Sequence, residues 1–290
     1  MKLIEPKVEL LSELNISPES HIARCSRICY GHEDKEPNQE ADEKMVNGLI
    51  KRGHLSMLRH ASIYLYNVGY IPNYYRIFHS DYWNYHIKYD YASTNLQEFD
   101  NFEKLIEDEY DSEYISAIDN KLFLKECAKN SELFKLYRLT FCITTQISTS
   151  RELNRVSPNA IAERSTRYCS SKDGLEICRP WWMFSSEEDI ANGNCSPNEL
   201  LYNDTILNIE RAYRALLDEG MKPENARGIL PLDTATKVIY TYSIREWQHI
   251  LDLRLYDKTG KAHPNVHVVM QMVKDQINNF AKEHNIDYQV

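Results

Sequence analysis

Residues 151–168 read R-E-L-N-R-V-S-P-N-A-I-A-E-R-S-T-R-Y. They set the arginines Arg151, Arg155 and Arg167 beside Glu152, Glu163 and Ser165. A guanidinium is planar and permanently charged, and it grips a phosphate or a planar imide through two parallel hydrogen bonds. In extended chain successive side chains alternate, so Glu163, Ser165 and Arg167 share one face. Such a layout suits a small anionic ligand rich in hydrogen-bonding groups. Just upstream, residues 135–145 are rich in β-branched and aromatic types and predict a strand. Residues 147–154 predict a helix that delivers the arginines.

Toward the N-terminus, Ser17 is a candidate N-cap and Pro18 opens a helix over residues 19–30. Residues 39–51 follow the helical period, with Met45, Val46, Leu49 and Ile50 on one face, and Gly53 ends that helix. Residues 60–68 alternate as a strand does, Ile63, Leu65 and Asn67 against Tyr64, Tyr66 and Val68. From 73 to 130 the chain is rich in Tyr, Asp and Glu, with helical pieces at 95–109 and 114–129. This stretch reads as an insertion in the main domain rather than a domain of its own. Beyond residue 168, residues 197–219 form an amphipathic helix with Leu200, Ile206, Leu207, Ile209, Ala212, Leu216 and Leu217 inward. A helix start at 223–229, a strand at 236–242 and helices at 243–253 and 264–284 complete the chain. The expected fold is α+β: one domain over residues 1–290, a mixed or antiparallel sheet covered by helices.

The 290 residues suffice for a sizeable core. A net charge of -9 excludes the basic field of a general nucleic-acid binder. No apolar run is long enough to span a bilayer, and M-K-L-I-E-P-K-V-E-L lacks a secretory core. A soluble cytoplasmic protein is expected, with neither nucleic acid nor membrane as partner. The seven cysteines, Cys25, Cys29, Cys127, Cys142, Cys169, Cys178 and Cys195, are odd in number and imply no disulfide framework. Cys25 and Cys29 lack a second pair at zinc spacing, and His263 and His267 lack a third ligand, so no metal site is expected. Many of the twenty tyrosines fall between Tyr64 and Tyr91, and they read as a strand-and-loop layer with hydroxyls at the surface.

The tail of the opening stretch, E-R-S-T-R-Y, resembles the end of the signature of flavin-dependent thymidylate synthases, which runs R-H-R, a spacer, then E-x-S-x-R-Y. Arg155 matches the first arginine, and Glu163, Ser165, Arg167 and Tyr168 match the end at the same spacing. Val156 and Ser157 stand where the family has histidine and arginine. Two further blocks resemble the same family. A-R-C-S-R-I-C-Y at 23–30, followed by R-G-H-L-S-M-L-R-H at 52–60, is similar to its A-R-x-S helix and G-H-x-[ST]-x-x-E-H segment. His54, Ser56 and His60 match; Arg59 replaces glutamate and Cys29 replaces serine. A-R-G-I-L-P-L at 226–232 and S-I-R-E-W-Q-H-I-L-D-L-R at 243–254 resemble A-R-x-x-L-P and N-x-R-S-x-x-[NH]-F-x-x-L-R. Arg227, Leu230, Pro231, Arg245, His249, Leu253 and Arg254 match, and Ser243 replaces asparagine. Spacing is kept except across the long insertion.

The resemblance implies reductive methylation of dUMP to dTMP, with methylenetetrahydrofolate as one-carbon donor, FAD as cofactor and NADPH as its reductant. It implies no cysteine nucleophile, and Cys178-Arg179-Pro180 is not the Cys-His arrangement of classical thymidylate synthases. It implies a homotetramer with sites at subunit junctions. Arg254 would polarise the uracil as the catalytic residue. Glu152, Arg155, Glu163, Ser165, Arg167, Arg227 and Arg254 would hold dUMP. His54, Ser56, Arg155, Val156, Ser157, Glu163, Ser243, Arg245 and His249 would lie against FAD. Each residue also has an ordinary role: Arg254 as a helix-end cation, Arg151, Glu152 and Arg155 as a surface ion-pair cluster, His54 and Ser56 as part of a turn. Val156, Ser157 and Arg59 each remove or invert a family charge near the cofactor. They leave open a non-catalytic flavin- or nucleotide-binding paralogue, with Arg59 as the residue that returns a lost positive charge. A third reading is an interaction module that kept only the fold.

Overall fold

The computed structural model describes residues 2–33, 38–68, 83–107, 116–157, 160–166 and 174–290. In chain order these form β1 (Lys2–Ile4), β2 (Lys7–Leu10), α1 (Pro18–Cys29), α2 (Gln39–Lys51), β3 (Ser62–Tyr66), β4 (Asn84–His86), β5 (Tyr91–Asn95), α3 (Leu96–Glu107), β6 (Ser116–Ile118) and α4 (Asn120–Lys129). Then follow β7 (Arg138–Gln146), α5 (Ile147–Leu153), β8 (Ala160–Glu163), β9 (Glu176–Cys178), α6 (Glu187–Ala191), α7 (Pro197–Asp218), α8 (Pro223–Ala226), β10 (Ala235–Ser243), α9 (Ile244–Arg254) and α10 (Pro264–Glu283). The class is α+β, as the alternation of strand and helix patterns predicts. Among the described residues no helix is long and apolar enough to cross a membrane.

The sequence R-L-T-F-C-I-T-T-Q of β7 is buried throughout. It pairs antiparallel with β10 over nine positions, from Arg138 opposite Ser243 to Gln146 opposite Ala235. β2 joins the free edge of β7 and β8 that of β10, giving the order β2-β7-β10-β8. Burial on both faces explains why β7 shows no clean polar alternation. One face sets Leu139, Phe141, Ile143, Val238, Tyr240 and Tyr242 against Trp247 and Leu251 of α9 and Val269, Met270, Val273 and Ile277 of α10. Each such side chain contributes roughly 1.5–3 kcal/mol on leaving water. The other face sets Cys142, Ala162 and Ile239 against Cys25, Ile28 and Cys29 of α1.

That second face also carries a polar chain. His21 Nε2 lies 3.0 Å from Thr140 Oγ1, Thr140 Oγ1 lies 2.8 Å from Thr241 Oγ1, and His60 Nδ1 lies 2.9 Å from Thr241 Oγ1. Burial, aided by the nearby Arg24, lowers His21 to a pKa of about 4. Burial, aided by His21 and Arg138, lowers His60 to about 3. Both are neutral members of the core. α1 is tied to α2 by a buried ion pair between Arg27 and Asp42.

Several local expectations are corrected. Residues 60–68 do not form one strand: 55–60 make a 3-10 turn, and β3 begins at Ser62. Residues 131–136 likewise form a 3-10 turn before β7. The helix expected at 114–129 begins only after Asp119, whose carboxylate accepts from Lys121 N and Leu122 N. Just before it, β6 pairs with β3 and completes a sheet of order β4-β5-β3-β6. In the tyrosine-rich stretch Tyr64 is fully buried rather than at the surface, while Tyr66 is exposed and Tyr85, Tyr89 and Tyr91 are half-buried; Tyr70, Tyr74, Tyr75 and Tyr82 lie outside the described residues. The buried face of α7 is Glu199, Ile206, Glu210 and Tyr213, with Leu200 and Ala212 exposed. Its two glutamates turn inward because loops need acceptors. Glu199 accepts from Phe184 N and Ser185 N, and Glu210 from Leu175 N. Parts of the expected insertion, 73–82 and 108–115, lie outside the described residues.

His21 and His60 give the fold a pH dependence of fixed sign. Their folded pKa values lie below the unfolded value near 6.5, so below that pH the unfolded chain binds more protons. Stability is complete above about pH 6.5 and falls as pH drops toward 4, by roughly 2 kcal/mol per histidine between pH 6.5 and 5. Urea unfolding across this range is expected to show the slope, and His21→Gln with His60→Gln is expected to remove most of it.

Candidate active site

β7 runs without a break into α5, and the turn is locked from both sides. Gln146, almost fully buried, donates through Nε2 to the Arg179 carbonyl at 3.0 Å and accepts from Thr149 Oγ1 at 2.8 Å. The first amides of a helix have no internal acceptor. Here Ile147 N donates to the Thr234 carbonyl at 3.1 Å and Ser148 N to the Leu232 carbonyl at 3.0 Å. The 226–234 segment is thereby fastened to the start of α5.

α5 faces β8 through a hydrogen-bonded group. Ser150 Oγ lies 2.7 Å from Glu163 Oε1, and Asn154 Nδ2 lies 3.5 Å from Glu163 Oε2. Tyr240 OH, from the buried centre of β10, donates to Asn154 Oδ1 at 2.6 Å. Burial raises the Tyr240 hydroxyl well above its ordinary pKa, so it stays a donor. Ser150 and Asn154 are four apart on one helical face. That spacing was readable in the sequence, but neither residue was singled out there.

At the far end of α5, Glu152 meets Arg254 from the last turn of α9. Arg254 Nη2 donates to the Glu152 carbonyl at 3.3 Å, and Nε lies 3.9 Å from Glu152 Oε1. Arg254 Nε is buried and makes no hydrogen bond. The structure thus brings together two residues a hundred positions apart and leaves one guanidinium N–H without an acceptor. After β8 the signature loop passes over the end of α1, where Ser165 N donates to the Cys29 carbonyl at 3.1 Å. Arg227 reaches the same loop, with Nη1 3.1 Å from Thr166 Oγ1. The 3-10 turn carrying His54 and Ser56 abuts it, because Met57 packs against the Cys29, Ala162 and Ile239 cluster. Gly53, at φ +72°, lets the chain leave α2 into that turn. His54 and Ser56 are exposed.

Other sequence-predicted residues sit differently. Arg167 and Tyr168 lie outside the described residues. Arg155 is exposed beyond α5, as are Arg245 and His249 on the outer face of α9. Val156 packs against the main core. Ser157 Oγ donates to Glu246 Oε1 at 3.4 Å, and its carbonyl accepts from Tyr242 OH at 3.2 Å. Ser243 is fully buried and caps α9: Glu246 N donates to its hydroxyl at 3.2 Å, while Glu246 Oε2 accepts from Ser243 N at 2.9 Å. Arg59 Nε donates to Gln97 Oε1 at 2.9 Å, toward the first turn of α3.

A family model described as Thymidylate synthase complementing protein, Thy1, matches residues 84–281. Among curated relatives, the flavin-dependent thymidylate synthase of Haloarcula marismortui is 35% identical over 77 residues, 26% of this chain and 31% of that one. A probable flavin-dependent thymidylate synthase of Paramecium bursaria Chlorella virus 1 is 39% identical over 51 residues, 18% of this chain and 24% of that one. The flavin-dependent thymidylate synthase of Synechocystis is 25% identical over 138 residues, 46% of this chain and 64% of that one. The chain thus spans about a third of the length of the Haloarcula relative and under two thirds of the Synechocystis one. A crystal structure of the UMP/dUMP methylase PolB from Streptomyces cacaoi bound with 5-Br dUMP superposes with a TM-score of 0.43 at 15% identity, covering 97% of this chain and 93% of that one. A likeness at that level bears on no detail of the site.

Tyr240→Phe removes the only donor among the described residues that holds the Asn154 amide oxygen. Guanidinium unfolding is expected to record a loss of roughly 0.5–1.5 kcal/mol, the net worth of one hydrogen bond to a half-buried acceptor.

Proposed function

The chain belongs to the Thy1 family of thymidylate synthase complementing proteins, and from that premise we propose that it methylates dUMP to dTMP reductively, with methylenetetrahydrofolate, FAD and NADPH. The observation that carries this reading is Arg254: a guanidinium held by Glu152, its Nε buried and without an acceptor. A pyrimidine imide offers a planar edge of acceptors, and a permanently charged fork beside it stabilises the ionised ring. Arg254 is therefore the catalytic residue of the proposal. Glu152 orients it, while Glu163, Ser165, Arg167, Arg227 and Arg155 surround the nucleotide. Arg227 suits the phosphate end, being exposed and already turned toward the signature loop.

The residues proposed for FAD divide in two. His54, Ser56, Arg155, Arg245 and His249 offer exposed donors, which suits an anionic dinucleotide. Val156, Ser157 and Ser243 are committed to core packing, to Glu246 and to capping; they would shape the wall rather than bond the cofactor. When bound, a flavin would supply the redox chemistry, and the protein would contribute position and charge. Exposed donors on separate surfaces of one chain suit the proposed homotetramer, in which several subunits complete each site. The residues give no reason to place the protein outside the cytoplasm.

Val156 and Ser157 favour a second reading, a paralogue that binds flavin and nucleotide without turnover, since neither side chain is free to take the family's role. An assay for dTMP with methylenetetrahydrofolate and NADPH separates the two.

Flavin absorption of the purified protein, or quenching of added FAD fluorescence, is the expected first result; a colourless protein that leaves FAD fluorescence unchanged overturns both readings. A hydrogen bond to a charged group is worth about 1.5–3 kcal/mol, so Arg254→Ala is expected to weaken dUMP binding at least roughly tenfold in calorimetry. Unchanged affinity would reduce Arg254 to a helix-end cation.

A further inference from the structure

His263 and His267 stand four apart at the start of α10, and the fold gives them different tasks. His263 caps the helix: its Nδ1 accepts from Asn265 N at 3.2 Å. His267 reaches the loop before the helix, where its Nε2 lies 3.0 Å from Asp257 Oδ1. The same carboxylate accepts from Ala262 N at 2.9 Å. The Ala262 amide first, and His267 second, hold the Asp257 carboxyl below its ordinary pKa. An ionised carboxylate only accepts, so His267 Nε2 carries the proton between them. Val266 and Val269, on either side of His267, are fully buried, so the histidine stands on a fixed post.

Asp257 follows Arg254, the last residue of α9, by three positions. The final carbonyls of a helix have no donor within it, so its last turn is ordered by the chain that follows. Here Leu255 N and Tyr256 N both donate to the Leu251 carbonyl, at 2.8 and 2.9 Å, and Lys258 N donates to the Asp252 carbonyl at 3.0 Å. This fold-back passes through Asp257 at φ +54°, a left-handed conformation unfavourable to most side chains. The bonds to Ala262 and His267 hold the chain there. Two other ties of the loop, Lys258 to Asp252 at 2.8 Å and Tyr256 OH to the Val290 carbonyl at 3.3 Å, hang on exposed side chains. Arg254 meets Glu152 at 3.3 and 3.9 Å, long contacts for a guanidinium. Its place therefore depends on where the end of α9 is held.

We propose that Asp257 and His267 form a latch that holds the end of α9 against α10 and thereby positions Arg254. Both are positioning residues, and neither touches the substrate. The proposal rests on the reading of Arg254 as the group that faces the pyrimidine. Four substitutions separate the bonds from the backbone shape. His267→Gln keeps a donor at similar reach, and Asp257→Asn keeps the acceptor and tolerates the left-handed φ. His267→Leu removes the donor. Asp257→Gly keeps the φ and removes both bonds.

In the intact protein without nucleotide, hydrogen exchange across residues 251–258 is expected to quicken roughly twofold to fivefold in His267→Leu and Asp257→Gly, the range for pairs partly open to water. It is expected to keep the parent rate in His267→Gln and Asp257→Asn. The sheltered Arg254 Nε–H, assigned by its loss in Arg254→Lys, is expected to shift in nitrogen-15 spectra of the first two variants only. With dUMP, calorimetry is expected to show an affinity loss of the same size in those two. No further loss is expected when His267→Leu is added to Arg254→Ala, because the latch acts through the arginine. Parent-like exchange in His267→Leu or Asp257→Gly, or an Arg254 signal that does not move, overturns the latch. An affinity loss that persists on the Arg254→Ala background overturns the positioning role. A parent protein with no affinity for dUMP sinks the substrate reading instead, and the exchange rates and the Arg254 signal still decide the latch.

Discussion

Between the Arg138–Ser243 pair and the Gln146–Ala235 pair, β7 and β10 hold each other in a single register. Both strands continue into helices with no linker, β7 into α5 and β10 into α9. A slip of one residue would turn every side chain of a strand to the opposite face. Here it would move Phe141 and Tyr240 out of the aromatic core, and it would also shift α5 and α9 along the sheet. The Glu152–Arg254 contact and the Ser150–Glu163 pair depend on that register, although none of these four residues lies in the β7–β10 paired segment.

The two faces of this pair are used unequally. The face toward α9 and α10 is aromatic and aliphatic, and its stability is a matter of area. The face toward α1 mixes cysteines and isoleucines with a line of threonines, two neutral histidines and Arg138. Polar groups so deep need mutual satisfaction. Thr140 and Thr241 supply it by bridging His21 and His60.

Much of this was legible in the sequence, and for identifiable reasons. The β-branched run from residue 138 onward, Ser17-Pro18 before α1 and the Gln39–Lys51 period each encode a local structure that tertiary packing did not override. The spacing of Glu163, Ser165 and Arg167 marked the signature loop, and the match at Arg254 marked the partner of Glu152. What failed depended on long-range contacts. Nothing in α7 alone says that Glu199 and Glu210 serve as acceptors for loops at residues 184 and 175 and so rotate its buried face. The burial of Tyr64 depends on β6 covering β3 and on Arg138 N donating to its hydroxyl. The commitment of Ser157 and Ser243 follows from Glu246, whose two oxygens serve both.

The N-terminal strands give the chain an order of assembly. β1 pairs in parallel with β9, joining Leu3 to Ile177, and β2 pairs with β7, joining Val8 to Ile143. During synthesis at about 5–20 residues per second, β1 waits roughly ten to thirty seconds for its partner to leave the ribosome. For that interval the first ten residues are an unclaimed strand edge, open to pairing with neighbouring nascent chains. Lys2, Glu5, Lys7 and Glu9 interrupt the apolar positions of this segment. Their alternating charges keep the waiting edge from being a uniform template, and the same residues later form ion pairs, Lys2 with Glu176 and Arg179 with Glu5.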